Sequence, residues 1–233
     1  MVRGSAVRWD GFGSRGRVPS SGMSVAGSES HVAKLVALGA ATLGESGARA
    51  MHNRMRPAWP GARLAAPAFP VRCTPGDNLA IHVAVARAPA GSALVVDVGT
   101  AREYGYWGEV LTTGAESRGL TGLVIDGCVR DVAALEAHGF PVFSTGLALP
   151  GATKQLWGAV GRGATVGDVD VAMGDWVVGD GDGVVVVPGA SLEEVIAAGH
   201  ARAEREQGYF EALRGGATTL ELLSLDAEPI EGA

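Results

Sequence analysis

Ten residues constrain this chain more than any others: Gly122-Leu123-Val124-Ile125-Asp126-Gly127-Cys128-Val129-Arg130-Asp131. The run starts as a short apolar segment of the kind that makes a buried strand. It breaks at Gly127 and ends on two opposite charges, Arg130 and Asp131. Ligands of open α/β sheets sit beyond the carboxyl ends of the strands, so a strand that ends this way is a candidate site. A guanidinium grips a carboxylate through two parallel hydrogen bonds. A carboxylate oxygen is a hard ligand suited to Mg²⁺ or Mn²⁺. Side by side, the two can hold an anionic substrate and the metal that activates it. The competing reading is local: Asp131 caps a helix that starts at Val132, and Arg130 is a solvated charge.

Strand and helix patterns alternate around this stretch. Residues 69–73 read as a strand, Pro75-Gly76-Asp77 as a turn, and Asp77 as the opening of a helix through Leu79, Val83 and Val85. Residues 93–98 read as a strand and residues 106–119 as a helix. The start of that helix, Trp107-Gly108-Glu109-Val110-Leu111, offers free backbone N–H groups near a strand end, an anion-binding feature. After the central run come a helix over 132–138 and a strand over 141–144. This alternation is the α/β signature.

The flanking regions differ. Residues 166–173 alternate, 176–178 are a short apolar run and 184–187 are a solid valine run, with Gly and Asp turns between them, so a β-rich layer is expected. Ser191 with Glu194 three residues on predicts a capping box and a long helix reaching Leu213, followed by a short helix over 218–225. Towards the other end, Ser28 or Ser30 is expected to cap a helix through Leu35 and Leu38. Residues 51–70 are expected to be a loop punctuated by Pro57, Pro60, Pro67 and Pro70. Residues 1–27, rich in Gly, Ser and Arg, read as a disordered tail or an over-long start, with Met23 as an alternative first residue, and 28–233 as a single domain.

Composition narrows the function. With 47% hydrophobic and 19% charged residues, the chain can bury a core. A net charge of −6 argues against non-specific nucleic-acid binding. No apolar run approaches the roughly 18 residues of a membrane span, so no membrane partner is expected either. The two cysteines, Cys73 and Cys128, form no CxxC and no zinc spacing with histidine, which fits a reducing cytoplasm. His31, His52, His82, His138 and His200 are scattered, and each reads as a surface or satisfied core histidine rather than a catalytic base. Asp180-Gly181-Asp182-Gly183 lacks the acidic spacing of a calcium loop and reads as a turn.

Taken in order, several short motifs carry a resemblance. They are Pro60-Gly61-Ala62-Arg63-Leu64-Ala65, Val71-Arg72-Cys73, Pro75-Gly76-Asp77-Asn78-Leu79, Val95-Val96-Asp97 and Trp107-Gly108-Glu109. The central run, Phe140-Pro141-Val142-Phe143, Gly151-Ala152-Thr153-Lys154, Gly174-Asp175 and Gly179-Asp180-Gly181-Asp182-Gly183-Val184 complete the series. Residues 57–225 thereby resemble the 4-hydroxy-4-methyl-2-oxoglutarate aldolases and the related RraA-like regulators of ribonuclease E. The resemblance implies a swivelling β/β/α sandwich, a central β-sheet system flanked by helices. It implies homotrimers or hexamers with sites between subunits. It also implies Mg²⁺- or Mn²⁺-dependent release of pyruvate from a keto-acid substrate, with oxaloacetate decarboxylation as a second activity. In the non-catalytic branch, which binds and inhibits ribonuclease E, the Arg is followed by a residue other than Asp. Here Asp131 follows Arg130, as in the enzymes. By the same resemblance, Arg130 holds the keto-acid end and offsets enolate charge, and Asp131 holds the metal. The N–H groups of Val110 and Leu111, beside Gly108, take the carboxylate. Glu109 acts catalytically and reaches the metal through water, as do Glu45 and Glu206 from a neighbouring subunit.

Overall fold

The structure, a computed structural model, describes residues 25–230; the part of the expected tail before Val25, with Met23 in it, lies outside the described residues. In chain order the first elements are α1 (Val25–Gly44), β1 (Arg49–Ala50), β2 (Arg56–Pro57), β3 (Leu64–Cys73), α2 (Leu79–Arg87), β4 (Ala93–Asp97) and α3 (Glu109–Ser117). Next come β5 (Gly122–Ile125), β6 (Cys128–Val129), α4 (Val132–His138), β7 (Val142–Ser144), β8 (Gly146–Leu147) and β9 (Gly158–Val160). The chain continues through β10 (Ala164–Val166), β11 (Val169–Val171), β12 (Trp176–Gly179), β13 (Val184–Val187), α5 (Leu192–Arg214) and α6 (Thr219–Leu223).

Side-chain alternation explains the layers, because successive residues of a strand face opposite ways. Along β4, Leu94 and Val96 pack with α2 and α3, while Ala93 and Val95 pack with Met51, Met55 and the β10–β11 hairpin. Along β13, Val184 and Val186 join that second cluster, while Val185 and Val187 pack against α1 and α5. The valine run is solid because both of its faces are covered. The sheet runs β1-β13-β12-β3-β4-β5-β7-β2, with β9 also on β3. Its middle, β3-β4-β5-β7, is parallel, and the flanking pairs are antiparallel. This is an α/β fold with a mixed, curled central sheet flanked by helices, of the expected β/β/α type.

Several local expectations are corrected. The strand expected over 69–73 starts at Leu64, so Pro67 and Pro70 lie within it rather than in a loop. Pro70 still takes part through its carbonyl, which accepts from Gly161 N at 2.9 Å. Ser28 and Ser30 lie inside α1 and do not start it. That helix instead breaks at Gly39 (φ 76), where Ala40 N–H donates to Asp180 Oδ2 at 2.8 Å and a final turn begins. The helix expected from Tyr106 starts at Glu109, since Tyr106 and Trp107 are buried approach residues. The alternating stretch expected over 166–173 belongs to a hairpin over 164–171, made of β10 and β11. Its turn residues, Gly167 (φ 55) and Asp168 (φ 65), both adopt the left-handed conformation that two-residue hairpin turns require. Ser191 makes no capping bond, because a 3₁₀ turn over Gly189–Ser191 leads directly into α5. The capping box is found instead at Thr218 and Glu221 of α6.

Candidate active site

A cavity of about 250 Å³ opens beyond the carboxyl ends of β4 and β5, where the sheet rule places ligands. Its walls come from the start of α2, the start of α3, the junction of β6 with α4, and the loop that follows β8.

The β6–α4 junction carries Arg130 and Asp131. Asp131 adopts a left-handed conformation (φ 58, ψ 37), which Asp tolerates better than most residues. It makes no capping bond to α4, so the local reading of this residue fails. Its Oδ2 instead accepts from Glu109 N–H at 3.1 Å, across the gap to the start of α3. Arg130 Nε lies 3.7 Å from the same oxygen, and both side chains are about half exposed. The backbone fixes their spacing, since Arg130 N–H donates to Trp107 O at 2.9 Å.

Two glycines make the trough in which these side chains lie. A Cβ at Gly108 would sit 2.2 Å from Asp131 Oδ2 and 3.2 Å from Arg130 Cγ. A Cβ at Gly105 would sit 2.6 Å from Ala148 O and 3.0 Å from Arg130 Cδ. Gly108 has an extended conformation open to any residue (φ −165), so close approach and not backbone freedom demands glycine there.

The start of α3 supplies donors. Thr112 N–H is bonded within the helix, to Gly108 O at 3.1 Å, and Glu109 N–H is taken by Asp131. That leaves the N–H groups of Val110 and Leu111, which line the cavity, without partners in the helix.

The other expected residues lie elsewhere. The Glu109 carboxylate is outside the cavity lining, with Oε1 3.9 Å from His138 Nε2. Glu45 and Glu206 are brought together around Arg202, which contacts Glu45 and lies 2.8 Å from Glu206. They line a separate cavity of about 480 Å³ beside His52 and do not join Arg130 within one chain.

Sequence reasoning missed three cavity residues: Asn78, His82 and Lys154. Asn78 is 4% exposed; its Nδ2 donates to Tyr106 O at 2.9 Å, and its Oδ1 is buried without a partner. His82 Nε2 is also buried without a partner. Burial first, and the Lys154 charge second, pull the His82 pKa below its ordinary value. The available signal was the spacing: residues four apart at a helix start share a face. Asp77, 1% exposed, fixes the loop that carries Lys154. Its carboxylate accepts from Gln155 N–H (2.6 Å), Thr153 Oγ1 (2.7 Å), Leu79 N–H (2.8 Å) and Leu156 N–H (3.1 Å). Burial pushes the Asp77 carboxyl upward, and these bonds together hold it below its usual range. Asp126, just after β5, ties Arg54, Arg102 and the β10–β11 turn together. It accepts from Arg54 (2.8 and 3.0 Å), from Arg102 Nε (2.8 Å) and from Gly167 N–H (3.2 Å).

Among the described residues, no three His, Cys, Asp or Glu side chains gather as a ligand set. Asp131 is the one carboxylate lining this cavity. A single, half-exposed carboxylate fits an ion that keeps most of its waters, as Mg²⁺ does, and not a caged transition metal.

The sequence model of a family described as RraA-like, Aldolase/RraA, matches residues 36–186, more than half of the chain. A Halalkalibacterium halodurans protein, named as a candidate 4-hydroxy-4-methyl-2-oxoglutarate aldolase, is 33% identical over 134 residues, 58% of this chain and 64% of that protein. An uncharacterized Methanocaldococcus jannaschii protein is 37% identical over 125 residues, 53% of this chain and 60% of that one. The chain thus spans less than two thirds of the length of these two relatives. A solved structure of an uncharacterized Pseudomonas syringae pv. tomato protein is similar with a TM-score of 0.73 and 28% identity, covering 83% of this chain and 96% of that one. Streptomyces coelicolor RraAS2, described as an unusual member of the RNase ES inhibitor RraA protein family, is similar with a TM-score of 0.67 and 26% identity, covering 78% and 96%.

Proposed function

The chain belongs to the RraA-like, Aldolase/RraA family, and we propose that it is a divalent-metal-dependent carbon–carbon lyase of the cytoplasm. In this reading it cleaves 4-hydroxy-4-methyl-2-oxoglutarate, or a similar 4-hydroxy-2-oxo acid, to pyruvate, and it also decarboxylates oxaloacetate. One observation carries the reading. Arg130, Asp131 and the free N–H groups of Val110 and Leu111 converge on one cavity, with Asp131 held against the helix start by Glu109 N–H.

The N–H groups take the substrate carboxylate at a helix N-terminus, where anions are favoured. Arg130 lies beside the keto oxygen. As the C3–C4 bond breaks, its electron pair passes into the enolate, and the fixed guanidinium offsets the charge that develops there. Asp131 holds Mg²⁺ or Mn²⁺, and the ion supplies Lewis-acid polarisation when bound. Glu109 contributes its backbone N–H to Asp131, and its carboxylate would hold a water of the bound ion. Glu45 and Glu206 complete the site from a neighbouring subunit of a homotrimer or hexamer. Their distance from Arg130 within one chain fits that arrangement.

A second reading, a non-catalytic regulator that binds ribonuclease E, draws on the likeness to the RraAS2 structure. A protein-binding surface gives no reason for a left-handed Asp131 bonded to a helix start. The discriminating test is pyruvate release from a panel of 4-hydroxy-2-oxo acids and oxaloacetate, with and without Mg²⁺. Metal-dependent release is the expected result. Inactivity across the panel, with tight binding to ribonuclease E, supports the second reading instead.

A further inference from the structure

The cavity has two chemical poles. Towards α3 and α4 its polar groups donate: Arg130 and the N–H groups of Val110 and Leu111. Towards α2 they accept. Asn78 Oδ1 is buried without a partner, its amide nitrogen already committed to Tyr106 O, and His82 Nε2 is buried without one as well. Buried polar atoms are seldom left unpaired, so two on one wall of a cavity mark where a ligand donates. Asn78 stands immediately before α2 and His82 in its first turn, where His82 N–H donates to Asn78 O at 3.3 Å, so both sit at the same helix start. Burial, and then the nearby Lys154 charge, favour the neutral form of His82, against a smaller opposing effect of Asp77. With its proton on Nδ1, a neutral imidazole presents a lone pair at Nε2.

We propose that the C4 hydroxyl of the substrate lies beside Asn78 and donates to His82 Nε2, and that His82 takes its proton as the C3–C4 bond breaks. This rests on the lyase reading given above. The O–H electron pair becomes the new carbonyl at C4, and the C3–C4 pair becomes the C2–C3 double bond of the pyruvate enolate. The enolate then takes a proton at C3 from solvent, and His82 returns its own to solvent. Lys154, the cation on the loop after β8 that also lines the cavity, meets the carboxylate carried on C4. Decarboxylation of oxaloacetate has no such hydroxyl: carbon dioxide leaves directly, and the same enolate forms.

The two reactions therefore separate His82 from the rest of the site. Both are measured on one preparation of His82→Gln, which keeps polarity and bulk without a base. Carbon–carbon cleavage is expected to fall about a hundredfold or more, the scale of a general base. Decarboxylation is expected to fall at least about tenfold less. In His82→Ala, added imidazole is expected to restore part of the cleavage rate. Equal losses in the two reactions, or unchanged cleavage, would overturn the role of His82. Wild-type protein inactive on both substrates would overturn the lyase reading itself, a different outcome from a loss confined to the variants.

Discussion

Gly108→Ala separates the position of Asp131 from the stability of the fold. The added Cβ would lie 2.2 Å from Asp131 Oδ2, 3.1 Å from its Cγ and 3.2 Å from Arg130 Cγ. The extended backbone at Gly108 accepts alanine, so no conformational strain arises. The nearest atom is the end of a short side chain, which can swing away. The carboxylate must then retreat by about 1 Å, a misplacement of the size that costs about 100-fold in rate. The bond from Glu109 N–H breaks with it. At a half-exposed carboxylate that loss is about 1 kcal/mol or less, a shift of roughly 2–4 °C in melting temperature. Pyruvate release and a melting curve on the same sample test this. Turnover within threefold of wild type would refute the claim that the Asp131 carboxylate must stand where it does. A collapse in melting temperature would show that the glycine serves packing instead.

Two other changes probe the frame and the assembly. Asp126 is buried between Arg54 and Arg102, so Asp126→Asn should destabilise by a few kcal/mol, less than the roughly 3–5 of a fully buried pair because Arg102 is partly exposed. Burial pushes the Asp126 carboxyl up, but its bonds from Arg54 and then Arg102 outweigh this and hold it low. The stability it adds is therefore present above about pH 4 and lost as pH falls through the lowered value. Wild type and variant should accordingly converge in acid denaturation, and a gap that persists in acid would contradict the pairing. If Glu206 serves a neighbour's site, Asp131→Asn and Glu206→Gln should each be inactive alone. Co-assembled, they should regain activity, since some sites then receive both native residues. Mixed oligomers that stay inactive would remove Glu206 from the site.

What the sequence made legible follows from how local each signal is. Buried strands β4, β5 and β13 were readable because apolar runs between turn residues have few other uses. Arg130, Asp131 and the start of α3 were readable because they lie at strand and helix ends. The length of β3 was not, because Pro67 and Pro70 look like loop punctuation until a neighbour accepts the role of donor, as Gly161 does. The hairpin at Gly167 and Asp168 needed two left-handed residues that alternation alone does not reveal. His82 was passed over because a lone histidine carries no mark of its surroundings. Only the packing of α2 against the loop held by Asp77 puts it in the cavity with Arg130. The pairing of Glu45 with Glu206 through Arg202 likewise depends on how α1 and α5 meet.

Whether Asp131 makes this cavity a metal-dependent lyase site is decided by a Mg²⁺ titration of pyruvate release by wild type and Asp131→Asn. Asn keeps the size of the side chain and an oxygen to accept from Glu109 N–H, but loses the charge that holds a hard cation. Wild type is expected to release pyruvate from 4-hydroxy-4-methyl-2-oxoglutarate and oxaloacetate as Mg²⁺ is added and to stop when the metal is chelated. Asp131→Asn is expected to melt like wild type yet to be about a hundredfold slower or worse at every Mg²⁺ concentration, the rate equivalent of several kcal/mol. Near-normal, metal-dependent turnover by Asp131→Asn would contradict the metal role of Asp131.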